Sequence, residues 1–181
     1  MLEKDLYPLV QVYLNIAFSP RLGPMFGDFR PLSAVTANSG GNTTGVWSKP
    51  DLCLVALWRQ KYGLHWHLDV HGFEVKPLGK CSTQSVYEAL NHTSLVHYSH
   101  LMWHCSDWDE RDQTCHSVLE ACSRFGVGLI TFSDPGDVRS YEIRVPAHKH
   151  APTPDALDEF LETRLEASDR KQLQSWIQEL Q

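Results

Sequence analysis

Asp51, Glu74 and Lys76 are the residues whose types and spacing suit chemistry. Asp51 follows Pro50 and is the sole charge in the run Pro50–Trp58. A carboxylate opening so apolar a stretch belongs at a strand end or beside a cation. Glu74, Val75 and Lys76 close a second run, Leu64–Lys76. Strand residues alternate faces, so Glu74 and Lys76 project to one side and Val75 to the other. Leu68, Val70 and Gly72 share the Glu74 face, and Gly72 is expected to leave room beside Glu74 for a metal or a phosphate. Two carboxylates and an amine at one place are the parts of metal-assisted phosphodiester hydrolysis. The acids hold a hard cation, Mg²⁺ or Mn²⁺, and the lysine orients or deprotonates the attacking water.

These residues need elements to bring them together. Leu2, Leu6, Leu9, Val10, Tyr13 and Leu14 make a helical stripe, predicting a helix over 2–17 that starts or bends at Pro8. Residues 19–30 read as loop, 31–37 as a short strand, and Asn38–Gly45 (NSGGNTTG) as a flexible turn ahead of the candidate strand. Asp51–Trp58 suits a strand covered on both faces. A hairpin between it and Leu64–Lys76 brings Asp51 near Glu74. A helix is expected over 83–95, a strand near 98–104, and a helix over Gln113–Arg124 closed by Gly126. Strands follow at Val127–Phe132 and Ser140–Val145. Thr153–Pro154–Asp155 starts a helix running to about Leu165. Ser168 is expected to cap a last helix ending near Leu180.

The sum is one mixed α/β unit: a core over residues 1–150 and a helical extension over 151–181. Leu173, Trp176, Ile177 and Leu180 give the last helix an apolar face, which docks on the core or on a second copy or protein partner.

Composition sets bounds. A chain of 181 residues, 42% hydrophobic, is globular and large enough for one sizeable core. No apolar run approaches the roughly 20 residues that span a membrane, and MLEKDLYPLV lacks a signal-peptide core. A cytoplasmic location without membrane contact is expected. Five cysteines, none in CxxC spacing, argue for reduced thiols. The net charge of −6 excludes a general nucleic-acid coat protein. The charge is segregated, however. Residues 45–80 carry five bases (Lys49, Arg59, Lys61, Lys76, Lys80) against three acids, and 151–181 carry three against seven. The middle, Lys80 included, is the part suited to phosphate.

Other chemistries have weaker footing. His97, His100, His104, Cys105, Cys115 and His116 fall in one stretch, but no second motif completes a zinc site, and packing histidines with buried thiols is the favoured reading. There is no GxSxG, and Gly40–Gly41 lacks the GK[ST] ending of a phosphate loop.

Pro50–Asp51, then Glu74–Val75–Lys76, then a helix with Gln84 and Tyr87, together resemble the PD-(D/E)xK nuclease superfamily. The resemblance covers residues 2–105. It implies a restriction-endonuclease-like α/β fold: a helix, three antiparallel strands, a helix and a further strand, with the two C-terminal helices as additions. It implies that Asp51, Glu74, the Val75 carbonyl and Glu3 (Asp5 as runner-up) hold Mg²⁺ or Mn²⁺. Lys76 would position the water, and Gln84 and Tyr87, with Lys80, would lie near substrate. Gln84 and Tyr87 stand three residues apart, where some members have four. The implied activity is metal-dependent hydrolysis of nucleic acid, DNA being the expected substrate, by direct attack of water. The alternative is a catalytically silent nuclease-fold module for binding or assembly in a larger complex. The acidic balance and the lack of a separate DNA-reading domain favour that alternative.

Overall fold

The computed structural model describes residues 1–37 and 49–179. The predicted loop Asn38–Gly45 and Leu180 lie outside them. Six strands form one mixed sheet in the order β1 (Gly27–Val35), β2 (Leu52–Gln60), β3 (His67–Lys76), β4 (Tyr98–His104), β5 (Gly128–Phe132) and β6 (Tyr141–Val145). β1, β2 and β3 pair antiparallel; β3, β4 and β5 run parallel; β6 returns antiparallel to β5.

β2 is buried from Leu52 to Leu57 because both faces of the sheet are covered, which is why its sequence reads as an unbroken apolar run. β1 is an edge strand, where Pro31 is tolerated. It starts at Gly27, inside the stretch expected to be loop. Pairing of Gly27–Arg30 with Leu57–Gln60 overrides the loop-like composition there. Gly27 has φ of 150°, and a Cβ on it would collide with the Arg59 carbonyl.

Helix α1 (Glu3–Tyr13) covers one face and continues through a π-helical turn (Leu14–Phe18) and a 3₁₀ turn (Ser19–Arg21). Leu6, Val10, Tyr13 and Leu14 pack on Leu52, Leu54, Phe73, Val75 and Met102. The helix begins well before Pro8 and runs through it. Pro8 is exposed, so the hydrogen bond it cannot donate is missing on the solvent side, where water replaces it.

Helices α2 (Thr83–Asn91) and α3 (Gln113–Phe125) carry the two parallel crossovers and cover one half of the other face, with Val86, Ala89, Val118 and Cys122 on Leu101, Trp103 and Leu129. α2 stops short of the predicted end and gives way to a 3₁₀ turn, His92–Ser94. Asp112 caps α3 by accepting from the Thr114 and Cys115 amides, and Gly126 ends it with φ of 70°. Helices α4 (Pro154–Arg164) and α5 (Ala167–Gln178) cover the remaining half. Leu157, Phe160, Leu161 and Leu173 pack there on Cys53, Val55 and Val70. Glu166, not Ser168, stands at the start of α5. The extension is therefore part of the domain's packing. Among the described residues no helix is long and apolar enough to cross a membrane.

Candidate active site

The register of the β2–β3 hairpin decides where the acids meet. Leu52 pairs with Phe73, so Asp51 and Glu74, each one residue further out, arrive at the same end of the sheet. The 23-residue separation reflects two long strands joined by a short loop. Backbone bonds fix Asp51. Its amide donates to the Phe73 carbonyl at 2.8 Å, and its carbonyl accepts from Thr36 and Ala37 at 2.8 and 2.9 Å. Its side chain is held as firmly. Oδ2 accepts the Val75 amide at 2.8 Å, and Oδ1 accepts the Tyr7 hydroxyl at 2.8 Å. The same hydroxyl lies 3.0 Å from Glu3 Oε1, so one phenolic proton serves two carboxylates.

Glu74 and Lys76 project together, as strand alternation requires. Lys76 Nζ stands 2.6 Å from Glu74 Oε1, 2.6 Å from Glu88 Oε2 and 3.9 Å from Glu3 Oε2. His92 Nε2 lies 3.5 Å from Glu74 Oε2. Glu88 is on α2 and His92 is its C-cap, four residues apart and so on one side of the helix. The Ser82 hydroxyl accepts the Gln84 amide at 3.3 Å and fixes where that helix begins.

Burial and like charge dominate the electrostatics. Burial lifts the Asp51 carboxyl to about 6, against the stabilising Val75 amide and Tyr7 hydroxyl. Burial lifts Glu74 to about 8, and the nearby Asp51 charge adds to it. The two titrate as a pair. Burial works against the Lys76 ammonium, but Glu74, Glu88 and Glu3 outweigh it and raise its pKa. Burial, with the charges and hydrogen bonds of Asp51 and Glu3 adding to it, keeps Tyr7 protonated. Burial, aided by the Lys76 charge, drops His92 to about 3, so it is neutral.

Glu3, Glu74 and Glu88 thus surround one ammonium, and its charge also reaches Asp51. Buried negative charge in such excess is costly until a cation offsets it, and an all-oxygen donor set suits a hard ion such as Mg²⁺ or Mn²⁺. The Val75 carbonyl leaves β3 on the same edge as its amide, the edge that Asp51 occupies. The donors fit in chemistry. Among the described residues, however, no three His, Cys, Asp or Glu side chains form a ready cage. The Lys76 ammonium stands where the carboxylates converge.

The chain matches no protein-family model and no curated protein sequence.

The other expected residues are placed as follows. Asp5 caps α1 by accepting the Leu2 amide at 2.8 Å, which leaves Glu3 as the acid of that helix at the site. Lys80 is exposed in the turn after β3, its amide donating to the Pro77 carbonyl at 3.1 Å while Gly79 takes φ of 72°. Gln84 is exposed one turn before Glu88. Tyr87 is half exposed and its ring lies 5.6 Å from that of Phe125, towards α3.

Gly72 differs from expectation. A Cβ on it would sit 3.1 Å from Pro50 Cβ and 3.2 Å from Val96 Cγ2, so the missing side chain makes room for apolar packing and not for a metal or phosphate.

Tyr7, Glu88 and His92 were not anticipated. The signal was helical spacing: Tyr7 is four residues after Glu3, and Glu88 and His92 continue the i, i+4 series from Gln84. Within the 97–116 stretch, His97 Nδ1 accepts the Val70 amide at 3.1 Å and His100 pairs with His71.

Proposed function

We propose that this protein is a divalent-metal-dependent nuclease of the PD-(D/E)xK type, hydrolysing phosphodiester bonds of nucleic acid, with DNA the expected substrate. The observation that carries the reading is the meeting of Asp51 and Glu74 at neighbouring strand ends, with Lys76 Nζ 2.6 Å from Glu74. The element order α1–β1–β2–β3–α2–β4, antiparallel then parallel, supports it, being the order the resemblance implies.

Mg²⁺ or Mn²⁺ held by Asp51, Glu74, the Val75 carbonyl and Glu3 would supply charge neutralisation and a more acidic water. The chain's own residues do the rest. Lys76, kept protonated by its carboxylates, acts as a hydrogen-bond donor that orients water or a phosphate oxygen, and in this state is not a base. Tyr7 and the Val75 amide fix the rotation of the Asp51 carboxylate. Neutral His92, its Nε2 3.5 Å from Glu74, adds no charge there. Exposed Gln84, one turn before Glu88, and Lys80, in the turn ahead of α2, would be the residues to meet substrate; Tyr87, turned towards α3, would take part only at the margin.

A second reading has its own observation. The grip of Glu74 and Glu88 on Lys76 neutralises the one cation of the cluster, which, with the net charge of −6, suits a silent binding or assembly module. Incubation with single- and double-stranded DNA and RNA in Mg²⁺, Mn²⁺ or EDTA separates the two. Cleavage in metal alone, abolished by Glu74→Ala with the circular dichroism spectrum unchanged, is the result expected of the enzyme. Intact substrates in every metal condition would leave the module.

A further inference from the structure

On the α1 face of the sheet, α1 and its π-helical turn leave the far half open. The opening forms a cavity of about 370 Å³ between Phe18, strands β2 to β6 and the segment after β6. Phe18, Leu22, Ile130 and Val145 make apolar walls, and the rings of Trp58 and Tyr98 join them. It shares no residue with the Asp51 cluster. His71, on its floor, precedes Glu74 by three strand positions and faces the other way, about 10 Å along β3.

Its polar content is small and specific. His71 is buried, and its Nδ1 lies 3.0 Å from His100 Nε2. Both imidazoles are neutral: burial drops His71 to about 4 and His100 well below its ordinary value. Two neutral imidazoles joined this way share one proton. One outer nitrogen then carries hydrogen and the other a lone pair, and a tautomer exchange reverses the roles. The pair can answer a donor or an acceptor. The position is built for it: a Cβ on Gly128 would come within 2.5 Å of His100 Nδ1, so only glycine lets the ring lie there. At the mouth, Asp69 is already satisfied by Trp58 Nε1 at 2.8 Å and by Lys149 Nζ at 2.6 Å, so charge is balanced before any ligand arrives.

We propose that this cavity binds a neutral, planar heteroaromatic molecule of nucleobase size, with the His71–His100 pair as its hydrogen-bonding partner. Ring-lined apolar walls of this volume exclude hydrated ions and favour a flat ring. The adaptable imidazole pair demands a ligand edge with a polar nitrogen or oxygen. The proposal does not depend on the nuclease reading.

The test is methyl-labelled NMR of the whole protein in EDTA, without nucleic acid, titrated separately with adenine, indole and benzoate. Adenine and indole are expected to shift the Ile130 and Val145 methyl signals saturably, and benzoate to leave them in place. Ile143→Trp, at a half-exposed position on the rim, should weaken adenine binding at least tenfold. His71→Phe should weaken adenine more than indole. Neither neutral probe binding up to its solubility limit, benzoate binding as tightly, or full binding in Ile143→Trp would each overturn the proposal.

Discussion

Glu88 reaches Lys76 from helix α2 at 2.6 Å, as close as Glu74 reaches it from within the same strand. The lysine is thus held between two layers of the fold, and its ionisation and aim depend on a helix residue outside the motif.

Glu88→Gln should loosen that hold. With one carboxylate gone, the Lys76 pKa falls towards its ordinary value, and the alkaline limb of the pH–rate profile should move down. A drop of about tenfold in kcat, with the melting temperature nearly unchanged, is expected. An unchanged profile would show that Glu88 serves packing alone.

The raised Glu74 pKa makes a stability prediction. An acid whose folded pKa lies above its unfolded value binds more protons in the native state. Its contribution is therefore greatest at low pH and is lost as pH rises through about 8. The buried histidines, whose folded pKa values are lowered, act in the opposite sense and only below about 6.5. Between pH 7 and 8, below the range where the buried thiols contribute in the same sense, metal-free protein should thus lose stability with rising pH, by at most about 1.4 kcal/mol per pH unit. Urea unfolding in EDTA at three pH values measures the slope, and Glu74→Gln should flatten it.

Adding Mg²⁺ should reverse the loss. A cation that binds only the folded state stabilises it by mass action, and most strongly where Glu74 is ionised. The melting temperature should rise with Mg²⁺ at pH 8, and the rise should vanish in Asp51→Asn. Equal shifts in both proteins would point to non-specific salt effects.

Tyr7→Phe keeps the ring and removes the hydroxyl that Asp51 and Glu3 share. Leaving a buried carboxylate oxygen without its donor costs about 1–3 kcal/mol. The Asp51 pKa should rise further, moving the acid limb of the rate profile upward. Denaturant unfolding and the pH profile together check this.

Gly72→Ala tests whether the glycine serves packing. Its Cβ would press on Pro50 and Val96, a strain of about 1–3 kcal/mol in a filled core, and would push Pro50 and with it Asp51. Lower stability together with lower activity is expected. Weaker metal binding at full stability would restore the idea that Gly72 opens space for a ligand.

The acids of the motif were legible because strand alternation and hairpin pairing are local rules: Glu74 and Lys76 must share a face, and Asp51 must lie across from them. The strands and helices of the mixed α/β unit followed from the same alternation and from helix ends such as Thr153 and Gly126. Tyr7 was hidden because it stands beside the apolar stripe of α1, not in it, and only docking of that helix puts its hydroxyl on Asp51. Glu88 was hidden because an acid beside the apolar face of a helix reads as solvated. The start of β1 at Gly27 depends on a partner strand more than twenty residues away, and the His71–His100 contact on the parallel alignment of β3 with β4. Neither of these last two is written in any local pattern.

Asp51 is fastened to three separate pieces of chain: the first helix through Tyr7, the end of β1 through Thr36 and Ala37, and β3 through Phe73 and Val75. If the nuclease reading holds, Asp51 is a rivet as well as a metal ligand. A descendant of such an enzyme that lost hydrolysis would shed Glu74 or Lys76 first and keep this aspartate for its architecture. Among homologous sequences, an aspartate standing alone there would mark a retired enzyme rather than a working one.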